Sequence, residues 1–244
     1  MMKKAIDNFS EQAGLYQKFR PSYPDMLYQE ILRHTPGRDL CWDCGTGNGQ
    51  VAVVLSKYFR QVYASDLSAD QLRFAAQKDN ISYLVQRAEK TNFENNQFDL
   101  ITVAQAMHWF DVDKFNREMK RVAKDGATLA VWGYGLLRIN KPINDLIDHF
   151  YTQIVGPYWD KERTHVDEHY QNIHLDMKEI NTDKDFVIEV EWTLETFIGY
   201  LNTWSSVRKY IRAQEKNPVE WMYHETKETW EKDKVYKVRF PVFL

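Results

Sequence analysis

Hydrophobic residues along this chain switch repeatedly between two spacings, and the switches mark its elements. Ile6, Phe9, Ala13 and Tyr16 recur at helical spacing. Arg20-Pro-x-Tyr-Pro24 breaks that stripe, Asp25 restarts a helix beside a proline suited to a first turn, and Pro36-Gly37 stops it. A short apolar run then ends in the acid Asp43, and glycines follow at 45, 47 and 49. Val51, Val54, Leu55 and Tyr58 form the stripe of a core-facing helix. QVYASD predicts a second strand ending at Asp66, and Ser68 with Gln71 has the spacing of a capping box for the next helix. ISYLVQ predicts strand three. FDLITVA is too continuously apolar for a one-sided strand, so a buried parallel strand is expected. Asp111 caps a helix with Phe115, Met119 and Val122 on one face, and GATLAVWGYG is strand five. Five β-α units in succession predict an α/β fold with a doubly wound, mostly parallel sheet.

Beyond residue 135 the rhythm changes. Ile143, Leu146, Ile147, Phe150 and Ile154 stripe a helix that Gly156-Pro157 stops. PYWDKERTHVDEHYQNIH is polar and aromatic. DFVIEVEW alternates as a strand, and TLETFIGYLNTWSSVRKYI reads as helical, with Leu194, Phe197, Ile198 and Leu201 facing inward. Asn217-Pro218 with Glu220 opens a further helix, and VYKVRFPVFL closes as a strand. The two late strands bring the expected sheet to seven, with an inserted helical rim segment at 136–185.

Bulk properties narrow the class. At 244 residues the chain can hold one large domain or a core with a sizeable insertion. Its 43% hydrophobic and 27% charged content is that of a soluble globular protein. No apolar run nears the roughly 18–20 residues of a membrane span, and MMKKAIDNFSEQ lacks a signal peptide's apolar core. A cytoplasmic protein without membrane attachment is expected. Lys and Arg total 32 against 35 acidic residues, which disfavours a strong nucleic-acid footprint. The two cysteines, Cys41 and Cys44, cannot form a disulfide framework. Because the glycines follow Cys44, the pair lies in a strand and its end, where this spacing points the two side chains to opposite faces.

A strand, a glycine turn and a helix bring a ligand against bare backbone and a helix N-terminus. The pattern is D-x-G-x-G-x-G, tighter than the G-x-G-x-x-G of dinucleotide folds. Asp66, one βα unit later, is placed to accept hydrogen bonds from ribose hydroxyls. Gln105, His108 and Trp109 stand at the carboxyl end of strand four, where open α/β sheets bind ligands. His165-x-x-Glu168-His169 spells a metalloprotease string, but its aromatic and acidic setting reads as a lid segment, and no metal is expected.

The glycine motif from Asp43 resembles motif I of the class I S-adenosylmethionine-dependent methyltransferases. The Tyr16-x-x-x-Arg20-Pro-x-Tyr-Pro24 pattern and AQAMHWFD at 104–111 resemble their trans-aconitate methyltransferase-like branch, with its type 11 domain, and TWSSV at 203–207 does so more loosely. The resemblance implies a flap over the cofactor, with Tyr16 and Arg20 near its carboxylate, a role a guanidinium suits. It places Asp43 at the amino-acid end and brings the backbone at Cys44, Gly45, Thr46 and Gly47 close to methionine and ribose. It sets Leu67 against adenine and Ala88 and Glu89 at the adenine edge. Gln105 and Trp109 join the cofactor set, Trp109 as an aromatic face for the sulfonium. It further implies a reversed strand pair ending the sheet. The expected organisation is 1–135 for flap and cofactor core, 136–185 for a lid, and 186–244 to complete the sheet.

The expected reaction is methyl transfer to a small-molecule oxygen, carboxylate or hydroxyl, with S-adenosylhomocysteine as product. No Asn/Asp-Pro-Pro-Tyr string follows strand four, which lowers amine acceptors. His108 is the base if the acceptor needs one. A non-catalytic regulator sensing the same cofactor, and a nicotinamide-dependent dehydrogenase, are the alternatives. A monomer or weak homodimer is expected.

Overall fold

Residues 19–244 are described in the computed structural model; the first helical stripe and Tyr16 lie outside the described residues. Seven strands form one sheet in the order β3-β2-β1-β4-β5-β7-β6. They are β1 (Leu40–Cys44), β2 (Gln61–Asp66), β3 (Ile81–Val85), β4 (Phe98–Ala104), β5 (Ala123–Tyr134), β6 (Phe186–Trp192) and β7 (Tyr236–Phe243). The first five pair in parallel, while β7 runs antiparallel to both β5 and β6. The order reverses between β1 and β4, which opens a crevice at their carboxyl ends.

Helix α1 (Asp25–His34) starts directly after Pro24 and ends before Pro36-Gly37. It packs with α2 (Gln50–Leu55) on one face of the sheet, around Leu55, Leu100 and Trp132. Helix α2 is shorter than its stripe suggests: Val51 and Leu55 are buried, whereas Tyr58 lies past its end and is exposed. Helix α3 (Ala69–Arg73) is capped by Ser68, whose hydroxyl accepts from the Gln71 N–H. On the other face α4 (Val112–Val122), capped by Asp111, buries Phe115, Met119 and Val122 against Trp42 and Phe98. β4 is buried from Phe98 to Val103, as its unbroken apolar run requires.

The β-α alternation fails once. Among the described residues no helix joins β3 to β4. Instead, α4 holds this connection. Glu118 accepts from the Thr91 N–H at 2.7 Å, and Arg121 donates to the Phe93 carbonyl at 2.7 Å. Phe93 thereby fills the space beside Trp42 and Phe98 that a helix would have covered.

Cys41 and Cys44 are buried on opposite faces, in two different apolar clusters. Burial pushes both thiols well above their ordinary pKa. Neither thiol should react with a thiol-directed dye in the native protein, and both should react together on unfolding. Reaction in native buffer would show that the strand opens.

The C-terminal region has its own core, around Phe150, Phe197, Trp204 and Phe240. It contains α5 (Lys141–His149), a π-turn at Phe150–Ile154, α6 (Arg163–Asp167), α7 (Leu194–Leu201), α8 (Ser205–Gln214) and α9 (Val219–Lys227). The long helical stretch from Leu194 is two helices. Asn202 Nδ2 donates to the Ile198 carbonyl and Thr203 Oγ1 to that of Tyr200. These side chains take carbonyls that a continuing helix would have used.

Candidate active site

The crevice at the strand ends is a cleft of about 210 Å³, and the glycine loop forms its floor. Gly45, Gly47 and Gly49 have φ of 68°, 57° and 81°, a region that L side chains avoid. The turn is tied to β2, because the N–H groups of Gly45 and Thr46 both donate to the Ser65 carbonyl, at 2.8 and 3.0 Å. A Cβ at Gly47 would approach only Gln71 Oε1, at 3.9 Å, so the backbone there faces open cleft. Helix α2 begins directly after Gly49.

Two acids bracket this loop. Asp43 is buried; Thr102 Oγ1 donates to one carboxylate oxygen at 2.8 Å, and the Thr46 hydroxyl donates to the other. Burial pushes its pKa up to about 6, against the opposing pull of those hydrogen bonds; the nearby Asp66 charge adds to the rise. Asp66 accepts the Gly47 N–H at 2.8 Å on one oxygen and the Ser68 N–H at 2.9 Å on the other. The second acid therefore fixes the shape of the loop as well as facing the cleft.

Around the rim, Arg20 donates to the Tyr134 hydroxyl, and its guanidinium lies 5.3 Å from the centre of the Tyr200 ring. Leu67 is half exposed, and Ala88 and Glu89 line the wall beyond it. The Glu89 carboxylate accepts the Asp111 N–H at 3.0 Å and Arg87 Nε at 3.3 Å. Gln105 has φ of 53°, a strained value for a residue with a side chain. It is held from both ends: its N–H donates to Trp132, its amide nitrogen to the Tyr134 carbonyl, and its amide oxygen accepts the Tyr134 N–H. This bend turns the chain into the one-turn 3₁₀ helix Met107–Trp109 and sets Trp109 over the cleft.

Arg20, Asp43, Gly45, Thr46, Gly47, Asp66, Leu67, Ala88, Glu89, Gln105 and Trp109 all line this cleft. Cys44 does not; its side chain is sunk in the core, leaving only its backbone near the loop. His108 lines a smaller pocket, of about 60 Å³, which shares Arg20, Gln105, Trp109 and Tyr134 with the cleft. Its Nδ1 lies 2.9 Å from the Tyr170 hydroxyl. Burial drives its pKa down to about 3, helped by the charge of Arg163 and by His165. The imidazole is therefore neutral in ordinary buffers. Trp159, Arg163 and Trp204, from the rim and the C-terminal region, complete this pocket. Trp204 lies in the TWSSV stretch that carries part of the resemblance, whereas nothing local in the sequence singled out Trp159 or Arg163. His165 and Glu168 of the H-x-x-E-H string are both bonded to Asn172, and His169 stacks on Phe243.

This layout has known counterparts. A methyltransferase-domain family matches residues 42–131. A candidate methyltransferase of Dictyostelium discoideum is 35% identical over 249 residues, covering 99% of this chain and 94% of that protein. The chain belongs to the S-adenosylmethionine-dependent methyltransferases. A candidate type II methyltransferase from Anaeromyxobacter dehalogenans superposes with a TM-score of 0.84 at 33% identity, covering 92% of this chain and 95% of that one. The probable S-adenosylmethionine-dependent methyltransferase CRG1 of Saccharomyces cerevisiae is 27% identical over 143 residues, 55% of this chain and 49% of that protein. The seven-stranded sheet with its reversed β7 is the methyltransferase form of the doubly wound fold. The protein is an enzyme whose methyl donor is S-adenosylmethionine. Among the described residues no helix is long and apolar enough to cross a membrane.

Proposed function

We propose that this methyltransferase, of the trans-aconitate methyltransferase-like branch, alkylates an oxygen of a small-molecule acceptor, with a carboxylate favoured over a hydroxyl. The observation that carries this reading is the small aromatic pocket that opens onto the cleft at Gln105 and Trp109. A sensor that only bound the cofactor would have no use for it. Residues 136–185 supply Trp159 and Arg163 to that pocket, in keeping with a lid over the acceptor.

The cleft residues fit the cofactor. Bare backbone at Gly47 admits a ligand close to the loop, and Asp66 offers its carboxylate to a ribose diol. Asp43 would hold the amino end, Arg20 the carboxylate, and Leu67, Ala88 and Glu89 the adenine. Cys44 and Thr46 would contribute through the loop they shape. S-adenosylmethionine, when bound, supplies a methyl group activated by its sulfonium. The chain's own part is to align the acceptor, to shield it from water with Trp109, Trp159 and Trp204, and to hold Gln105 rigid beside it.

The state of His108 favours the carboxylate. A base with a pKa of about 3 holds no proton at neutral pH and accepts one reluctantly. A carboxylate oxygen is already a nucleophile and needs no base. We assign His108 to positioning the acceptor. His108→Ala should leave S-adenosylhomocysteine affinity within about twofold and lower kcat/KM for the acceptor. The pH profile should keep its shape between about pH 5 and 8, where His108 does not titrate. A lost limb in that window would make His108 a general base; a collapse of cofactor affinity would make it scaffold. The same depressed pKa makes the unfolded chain take up a proton first as pH falls below the ordinary 6.5. The stability His108 contributes above that pH is therefore lost on acidification, and the variant should lose less.

A further inference from the structure

We infer that Arg163 is the residue that orients the acceptor, by gripping a carboxylate with the two terminal nitrogens of its guanidinium. This rests on the proposed reading of the aromatic pocket as the acceptor site.

Arg163 opens the short helix α6, and its side chain is 21% exposed. One edge of its guanidinium is committed: Nε donates to the Tyr151 hydroxyl at 2.9 Å and to Asp167, one turn on, at 3.2 Å. Its plane is packed as well, lying 5.0 Å from the centre of the Trp159 ring and 5.6 Å from that of Tyr151. These contacts fix the orientation of the fork. They also leave its far end without work, because the two terminal nitrogens have no hydrogen-bond partner among the described residues. An arginine whose aim is set by three residues, yet whose best donors are unused among the described residues, is arranged to receive a ligand.

The surroundings say what that is. The other charged residues lining the pocket are Arg20 and Asp160. Arg20 donates to Tyr134 and faces the cofactor cleft too, whereas Arg163 lines only the smaller pocket. Asp160 is paired with Lys209, and Asp167 lies against the Nε edge of Arg163, away from its terminal nitrogens. Of the charged residues that line the pocket itself, two are cationic and one is anionic. Five indole and phenol rings, those of Trp109, Tyr134, Trp159, Tyr200 and Trp204, form much of the wall. Between such rings a guanidinium with two open terminal nitrogens attracts an anion, and its planar fork matches a carboxylate's two oxygens. His108 lines the same pocket, and its Nε2 has no partner among the described residues either. The acceptor is thus a small, flat or apolar molecule carrying a carboxylate. Amines are disfavoured, since a second cation here would face two arginines.

The test separates this inference from the cofactor reading on which it stands. Calorimetry first measures S-adenosylhomocysteine binding to the wild-type protein; its failure would sink the cofactor site and not Arg163 in particular. The loaded protein is then titrated with benzoate, phenylacetate and hexanoate, and with benzamide, phenylacetamide and hexanamide. The carboxylates should bind at least about tenfold more tightly than their amides. Arg163→Gln should abolish that preference while leaving S-adenosylhomocysteine affinity within about twofold, and Arg163→Lys, which keeps the charge without the fork, should restore only part of it. Equal or absent binding of the two series to the wild-type protein overturns the inference. So does a preference that survives in the glutamine variant, or, should that variant not fold, one that is undiminished in the lysine variant. A loss of S-adenosylhomocysteine affinity in folded variants would move Arg163 to the cofactor and equally overturn it.

Discussion

Asp66→Ala is expected to weaken S-adenosylhomocysteine binding by roughly 1–3 kcal/mol, about 5- to 150-fold. Two losses combine in that figure. The cofactor would lose a charged hydrogen-bond acceptor. The loop would lose the clamp that now receives the Gly47 and Ser68 N–H groups at 2.8 and 2.9 Å. Asp66→Asn separates the two, because it keeps an acceptor oxygen for one N–H while removing the charge. It should fall between wild type and alanine. Calorimetry reads the affinity, and circular dichroism checks the fold. A folded alanine variant with unchanged affinity would remove Asp66 from the site.

Gly45→Ala is expected to do more damage than its size suggests. An alanine at φ of 68° costs roughly 1–2 kcal/mol in backbone strain. Its Cβ would also stand 2.6 Å from the Ala106 Cβ, an impossible contact. Ala106 follows Gln105 directly, so any retreat displaces the bend that carries Trp109. The melting temperature should fall by several degrees, and S-adenosylhomocysteine affinity should fall at least about tenfold. Gly126→Ala is the control. Its φ is 75°, but a Cβ there meets nothing within 4 Å. It should show strain of about 1 kcal/mol and no change in affinity. Equal effects at both sites would mean that backbone strain alone, and not the crowding at Ala106, shapes the loop.

What the sequence revealed, and what it hid, follows the distance over which each signal acts. The glycine turn, the strand-ending acids, the Ser68 and Asp111 caps and the opposed cysteines are written in neighbouring residues. The fold class follows from the same local periods. The missing helix between β3 and β4 is different, because Phe93 reaches its place through contacts with α4, far along the chain. His108 meets Tyr170 across 62 residues. Glu89 meets the Asp111 N–H across 22. Gln105 holds the Tyr134 backbone across 29. No pattern in a single chain announces such pairs. Arg163 was hidden differently, within a polar, aromatic stretch whose composition reads as a solvated lid.

The place of β7 divides the sheet unevenly. It is the last of the described strands, yet it stands inside the sheet, and among the described residues β6 has no other strand beside it. Its ladder to β5 consists of two register pairs, Gly133 with Phe243 and Tyr134 with Val242, against seven to β6. The antiparallel pair of β6 and β7 is therefore joined to the parallel half of the sheet by a short seam.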